Sequence, residues 1–194
     1  MDDSTGGRTR RRDGTDWRLG GAEDVEWIKA ATEITFAITA AVPPVFDSYA
    51  TLLIPDGSAE RDAHDAALLS PLVTHSGEQR WWLGYLETGA DEVVFPDAPR
   101  VVLYAGWRYV FVQAGPKQAR TWRSNHGLHS WRGALPDVIF PEDRSWLVSH
   151  LWDDDWRCVG GPGGLVEALV ADAALQGRTV ALGEDATPPG FQSR

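Results

Sequence analysis

Apolar side chains recur at two spacings along this chain, and the switches between them mark out the expected elements. Val25, Ile28 and Ala31 lie three apart and give a short helical stripe. Ile34, Phe36 and Ile38 then alternate with Thr and Ala, which fits a strand. Beyond Pro43-Pro44, with Pro44 suited to a first helical turn, Val45, Tyr49, Leu52 and Leu53 fit one helix face. Residues 49–54 fit a strand equally well. Pro55-Asp56-Gly57 signals a turn. Residues 56–66 are polar and short-chained, so a loop is expected there, followed by a short helix over 66–73.

The middle of the chain reads as β-rich. Trp81, Leu83, Tyr85 and Leu86 give a strand, and residues 101–104 and 109–113 give a hairpin around Ala105-Gly106. The neighbours Trp81 and Trp82 must point to opposite faces, so both cannot enter one core. Residues 114–137 are irregular. A strand over 145–152, an acidic turn and a returning strand over 156–159 follow. Gly160-Gly161-Pro162-Gly163-Gly164 reads as a turn into a closing helix over 165–175, with the glycines supplying positive φ. Strands in sequence, with helices near the N-terminus and at the C-terminal end, predict an α+β domain built on a central antiparallel sheet.

Composition adjusts this picture at the ends. Residues 1–16 hold four Arg, four Asp and almost no apolar side chain, so they are expected to form a disordered Arg-rich arm. The folded domain is expected over 17–182, with a flexible tail over 183–194. The arm is electrically neutral, so the net charge of −10 belongs to the rest of the chain. Such a surface repels phosphate backbones and favours a basic partner; nucleic acid is not expected as one. The single Cys158 excludes an intrachain disulfide and fits a reducing, cytoplasmic setting. No apolar run approaches the length of a membrane helix, and no secretory leader is expected.

None of the familiar catalytic signatures is present: no GxSxG, Walker loop, HExxH or strand-borne GxGxxG. No catalytic residue, metal ligand or cofactor is therefore assigned. Cys158 reads as a small core residue, although Arg157 beside it could lower its pKa. Asp153, Asp154 and Asp155 form an acidic knob flanked by Trp152 and Trp156, a combination that suits a basic protein partner. The ten tryptophans are mostly expected in the core, but indoles also build ligand platforms. Trp122, His126, His129 and Trp131 are the alternative candidates, as the lining of a small-molecule, sugar or unfamiliar enzymatic pocket. Oligomeric expectations are a monomer or a homodimer.

Phe140, Pro141, Asp143, Arg144 and Trp146, then Val159, Gly160 and Gly161, resemble a pattern shared by a group of actinobacterial proteins to which no activity attaches. Residues 42–55 and 82–89 extend that likeness. Pro44, Phe46 and Tyr49 also resemble the opening segment of the SUKH superfamily, with Pro55-Asp56-Gly57 where that superfamily carries Gly-Gly. The resemblance implies an antiparallel sheet closed by a helix. It also implies a non-catalytic, protein-binding role such as neutralising a toxin as an immunity protein.

Overall fold

The computed structural model describes residues 9–12, 14–87, 95, 97–121, 134–151 and 154–188. Its strands are β1 (Thr9–Arg12), β2 (Thr15–Leu19), β3 (Ser48–Leu53), β4 (Trp81–Leu86), β5 (Val101–Leu103), β6 (Trp107–Ala114), β7 (Val138–Pro141), β8 (Leu147–Ser149), β9 (Trp156–Gly161) and β10 (Gly177–Thr179). The helices are α1 (Ala22–Lys29), α2 (Ser58–Ser76) and α3 (Gly163–Ala171). All strands join one sheet in the order β1-β2-β6-β4-β7-β8-β9-β3-β10, with β5 also on β6. Every pairing among the described residues is antiparallel. The chain is thus α+β around an antiparallel sheet.

Both sheet faces are buried, and the alternation along β4 shows how. Trp81, Leu83 and Tyr85 join the core beneath α2 and α3, whereas Trp82 and Leu86 join the core beneath α1 and the segment around Ile38–Val42. Trp81 meets Trp146 edge-on at 5.0 Å, and the Trp146 indole N–H donates to Ser76 Oγ of α2 at 3.0 Å. Trp82 stacks on Phe140 on the other face. The adjacent indoles therefore serve two cores.

Four expectations are corrected. Residues 9–16 of the supposedly disordered arm contain β1 and the start of β2. The buried Trp17 anchors this hairpin, its indole N–H donating to the Arg12 carbonyl, and Arg10 pairs with Asp97. At the other end, residues 183–188 pack back rather than forming a free tail. Arg178 binds the Glu184 carboxylate and the Asp185 and Thr187 carbonyls, and the Ala186 N–H donates to the Phe36 carbonyl. Ile34, Phe36 and Ile38 do not form a strand; only Ala37 makes an isolated bridge, to Asp185. Gly160 and Gly161 lie within β9 and carry no positive φ. Glycine is needed at 160 for space, since a Cβ there would come within 2.4 Å of Phe46 and 2.6 Å of Val42.

The largest difference concerns α2, which runs through the expected loop. Its buried positions are Arg61, His64, Asp65, Leu68, Leu69, Leu72 and Ser76, a regular helical stripe. The first half of that stripe is polar, which hides its period in a hydrophobicity reading. Arg61 donates to the carbonyls of Pro55 and Asp56 and ties the helix start to β3. His64 and Asp65 face Arg157 of β9. Arg157 Nη1 donates to His64 Nδ1 at 2.9 Å, and its Nη2 lies 3.0 Å from Asp65 Oδ1. All three side chains are fully buried.

A guanidinium stays charged at any ordinary pH, so His64 Nδ1 must be the acceptor and the imidazole is neutral. Burial holds the His64 pKa below its ordinary value, and the Arg157 charge adds to this against Asp65. Burial alone would raise the Asp65 carboxyl. The Arg157 charge overcomes it, and the pKa falls below the ordinary value. Both shifts mean that the unfolded chain binds more protons than the folded one, so stability rises with pH. Urea midpoints should fall as pH drops below 6.5, where unfolded His64 takes a proton that the folded protein refuses. They should fall again below 3.8, the ordinary Asp value, as the Asp65 contribution is lost. Asp65→Ala should cost about 3–5 kcal/mol, because it strands a buried guanidinium.

Candidate functional site

The α1 face is covered by one α-helix of eight residues and a short 3-10 turn at Ile38–Ala40. Past Lys29 the cover becomes irregular, and two adjoining hollows open there. The first, about 350 Å³, lies between the end of α1, residues 32–35 and the β5–β6 hairpin. The second, about 450 Å³, lies between residues 35–41, the start of β9 and residues 185–187. Thr35, Ala40, Leu151 and Asp154 line both, so the two form one cleft.

The hairpin wall is held in an unusual conformation. Tyr104, Ala105 and Gly106 all have positive φ, at 37°, 53° and 97°. Only the glycine adopts this without cost. The Trp107 N–H closes the loop on the Tyr104 carbonyl at 3.2 Å. Tyr104 is fixed at its far end, where its hydroxyl donates to the Ala41 carbonyl at 3.0 Å and accepts from Ser149 Oγ at 3.0 Å. Burial raises its phenol pKa, with the Ser149 hydrogen bond opposing, so the hydroxyl remains a donor. This one side chain joins the hairpin, the covering segment and β8.

The floor near Asp154 is fixed by His150. Its Nε2 donates to the Asp154 carbonyl at 2.7 Å, and its backbone N–H donates to the Asp137 carbonyl at 2.7 Å. Asp137 Oδ2 in turn accepts the Leu86 N–H at 2.8 Å, which anchors the turn to β4.

The cleft is bordered by exposed apolar side chains. Ile34 is 92% exposed and Phe36 88%, although the exposed rim of a domain usually shows such residues singly. Val102 and Trp107 stand across the first hollow, Trp107 at 37% exposure. Four of the seven exposed large apolar side chains among the described residues thus border one cleft. Among the described residues, Lys29, Glu33, Asp154 and Asp185 are the charged ones that line it.

Of the acidic knob and its flanking indoles, Asp154 lies between the hollows and Trp156 lines the second. Asp155 is exposed beside them, its carbonyl accepting the Ile54 N–H. Trp152 and Asp153 lie outside the described residues, as do Trp122, His126, His129 and Trp131. Ile34, Phe36, Tyr104 and Glu33 were not singled out by the sequence. Alternation in 34–38 points to burial, and nothing in it tells that two of the three side chains face outward.

Cys158 borders the second hollow but is buried, and burial pushes its thiol well up. Arg157 cannot lower that pKa as adjacency implies, because it points to the opposite sheet face, toward α2. Among the described residues, no three His, Cys, Asp or Glu side chains could hold a metal ion together. No helix among them is long and apolar enough to cross a membrane.

Ala105 is exposed, so replacing it with glycine removes strain without removing packing. Ala105→Gly should gain about 1 kcal/mol. For a chain of this length that raises the thermal midpoint by about 2–4 °C, readable by calorimetry. Tyr104→Phe should lose about 1–3 kcal/mol, since the Ala41 carbonyl loses its donor in a buried site.

Compared with known proteins, the chain matches no protein-family model, no curated protein and no solved structure at a significant level.

Proposed function

We propose that this chain is a non-catalytic protein-binding domain that docks a partner on the cleft beside the β5–β6 hairpin. The observation that carries the reading is the gathering of Ile34, Phe36, Val102 and Trp107 around one concave surface. Grouped, uncovered apolar side chains rimmed by polar ones mark interaction sites. Trp is among the residues that most often dominate binding energy. The wall behind them is tied to three elements through Tyr104, so little ordering entropy is lost on docking. A net charge of −10 favours a basic partner.

The resemblance of Pro44, Phe46 and Tyr49 to the SUKH opening supports the narrower reading of an immunity-type protein that neutralises a basic toxin. Tyr49 has a structural task in that segment: its hydroxyl accepts the Phe46 N–H at 2.8 Å and donates to the Pro43 carbonyl.

The test is affinity capture with wild type and with Ile34→Ser/Phe36→Ser, followed by titration of the purified partner. Both side chains are exposed, so the variant should keep the wild-type thermal midpoint. Wild type should hold one basic protein in a one-to-one complex, and the variant should bind it about 30-fold more weakly. Equal binding by the variant overturns the assignment. So does a wild-type homodimer, seen by light scattering, that the same substitutions dissociate.

A further inference from the structure

We infer that residues 58–66, the first half of α2, form a flap that protonation of His64 releases from the sheet while the second half of the helix stays docked. The flap lies on the sheet face opposite the candidate cleft, so the inference stands apart from the docking reading. Three features point to it.

The first is what each half of the helix buries. Over 58–66 the buried side chains are Arg61, His64 and Asp65, while Ala59, Ala63 and Ala66 are exposed. The second half buries Leu68, Leu69 and Leu72. A buried ion pair adds little net stability over its hydrated parts, whereas buried leucines add theirs in full. Arg61 holds the carbonyls of Pro55 and Asp56, in the loop that leads into the helix, and these contacts can travel with the flap. The polar grip on the sheet is the contact of His64 and Asp65 with Arg157.

The second is a break between the halves. Pro71 lies inside α2 and has no N–H, so the Ala67 carbonyl loses its helical donor. The helix is therefore weakened where its polar half meets its apolar half.

The third is the contact itself. Arg157 Nη1 donates to His64 Nδ1 at 2.9 Å, which requires a neutral imidazole. A proton on Nδ1 removes the acceptor and sets two cations against each other, with Asp65 as one carboxylate between them. The elements packed around this site bring little else. Glu60 and Asp62 of α2, Glu167 of α3 and Asp172 are exposed, Arg178 of β10 holds Glu184, and β3 carries no charged residue. Off the sheet, His64 takes its proton at the ordinary 6.5. Docked, it is held lower by burial, so falling pH favours release.

The experiment is amide hydrogen exchange of the full chain at about pH 7.5 and about pH 5.5, read residue by residue by NMR and divided by intrinsic rates. So short a helical stretch frays once it leaves the sheet, and its amides then exchange. Amides 62–66 should open at least about tenfold more often than amides 72–75, and low urea should leave that local opening unchanged. The opening of 62–66 should rise about tenfold between the two pH values, as expected for one proton taken up at the ordinary His value. His64→Asn keeps an acceptor near the Nδ1 position at similar helix propensity and takes no proton. It should keep the excess opening of 62–66 and lose the pH dependence.

Equal opening of the two halves at both pH values overturns the flap. Opening of 62–66 that does not rise with acidity overturns His64 as its trigger, and so does a tenfold rise that persists in His64→Asn. The first two outcomes are read on wild type and do not depend on how well the variant folds.

Discussion

Arg157 carries a charge that folding cannot neutralise, and β9 places it inside the core facing α2. A buried guanidinium is tolerated only where a counter-charge and hydrogen-bond acceptors meet it. Asp65 and His64 supply these from successive positions of one helix, which fixes both the rotation and the height of α2 on the sheet. Arg61, one turn earlier, secures the helix to the loop leaving β3, the strand that pairs with β9. The polar cluster thus closes a circuit from β9 through α2 and β3 back to β9. Apolar packing by Leu68, Leu69 and Leu72 then continues along the same helix face. The specificity of this layer lies in its polar half and much of its hydrophobic free energy in the other.

The two sheet faces are covered by different means, and this asymmetry places the candidate site. On one face, α2 and α3 lie side by side over a continuous apolar core. On the other, α1 is short, and loops and the returned segment 183–188 complete the cover. The two hollows of the candidate cleft are bordered by these irregular segments, whereas another, about 660 Å³, lies between α2 and α3 on the helical face. The hairpin that borders them carries positive φ at Tyr104 and Ala105, and its strain persists because Tyr104 is held at its far end by Ala41 and Ser149. A rigid rim thus stands beside the exposed side chains of Ile34 and Phe36.

Much of the sheet was legible in the sequence, because its signals are local. The β5–β6 hairpin, the β8–β9 pair, β4 and α3 each announce themselves by alternation, turn residues or a helical stripe. The opposite fates of Trp81 and Trp82 follow from strand geometry alone. The first half of α2 was hidden because its inward residues are charged, and only the remote Arg157 makes them core residues. The β1–β2 hairpin was hidden for a related reason: one Trp anchors a run of Arg and Asp that by composition reads as solvated.

What the sequence by itself determined is therefore the α+β class, the antiparallel strands in the middle of the chain, the closing helix and the acidic surface. These depend on side-chain period, turn chemistry and charge count within short windows. What only the tertiary structure decided is where polar residues become interior and where apolar ones remain outside. Asp65 and His64 are buried because a strand 92 residues further on brings Arg157 to them. Ile34 and Phe36 are exposed because the segment bearing them joins no strand and is pinned by Ala37 to Asp185 and by Ile38 to the core. Burial is a property of partners far apart along the chain, and no local pattern carries it.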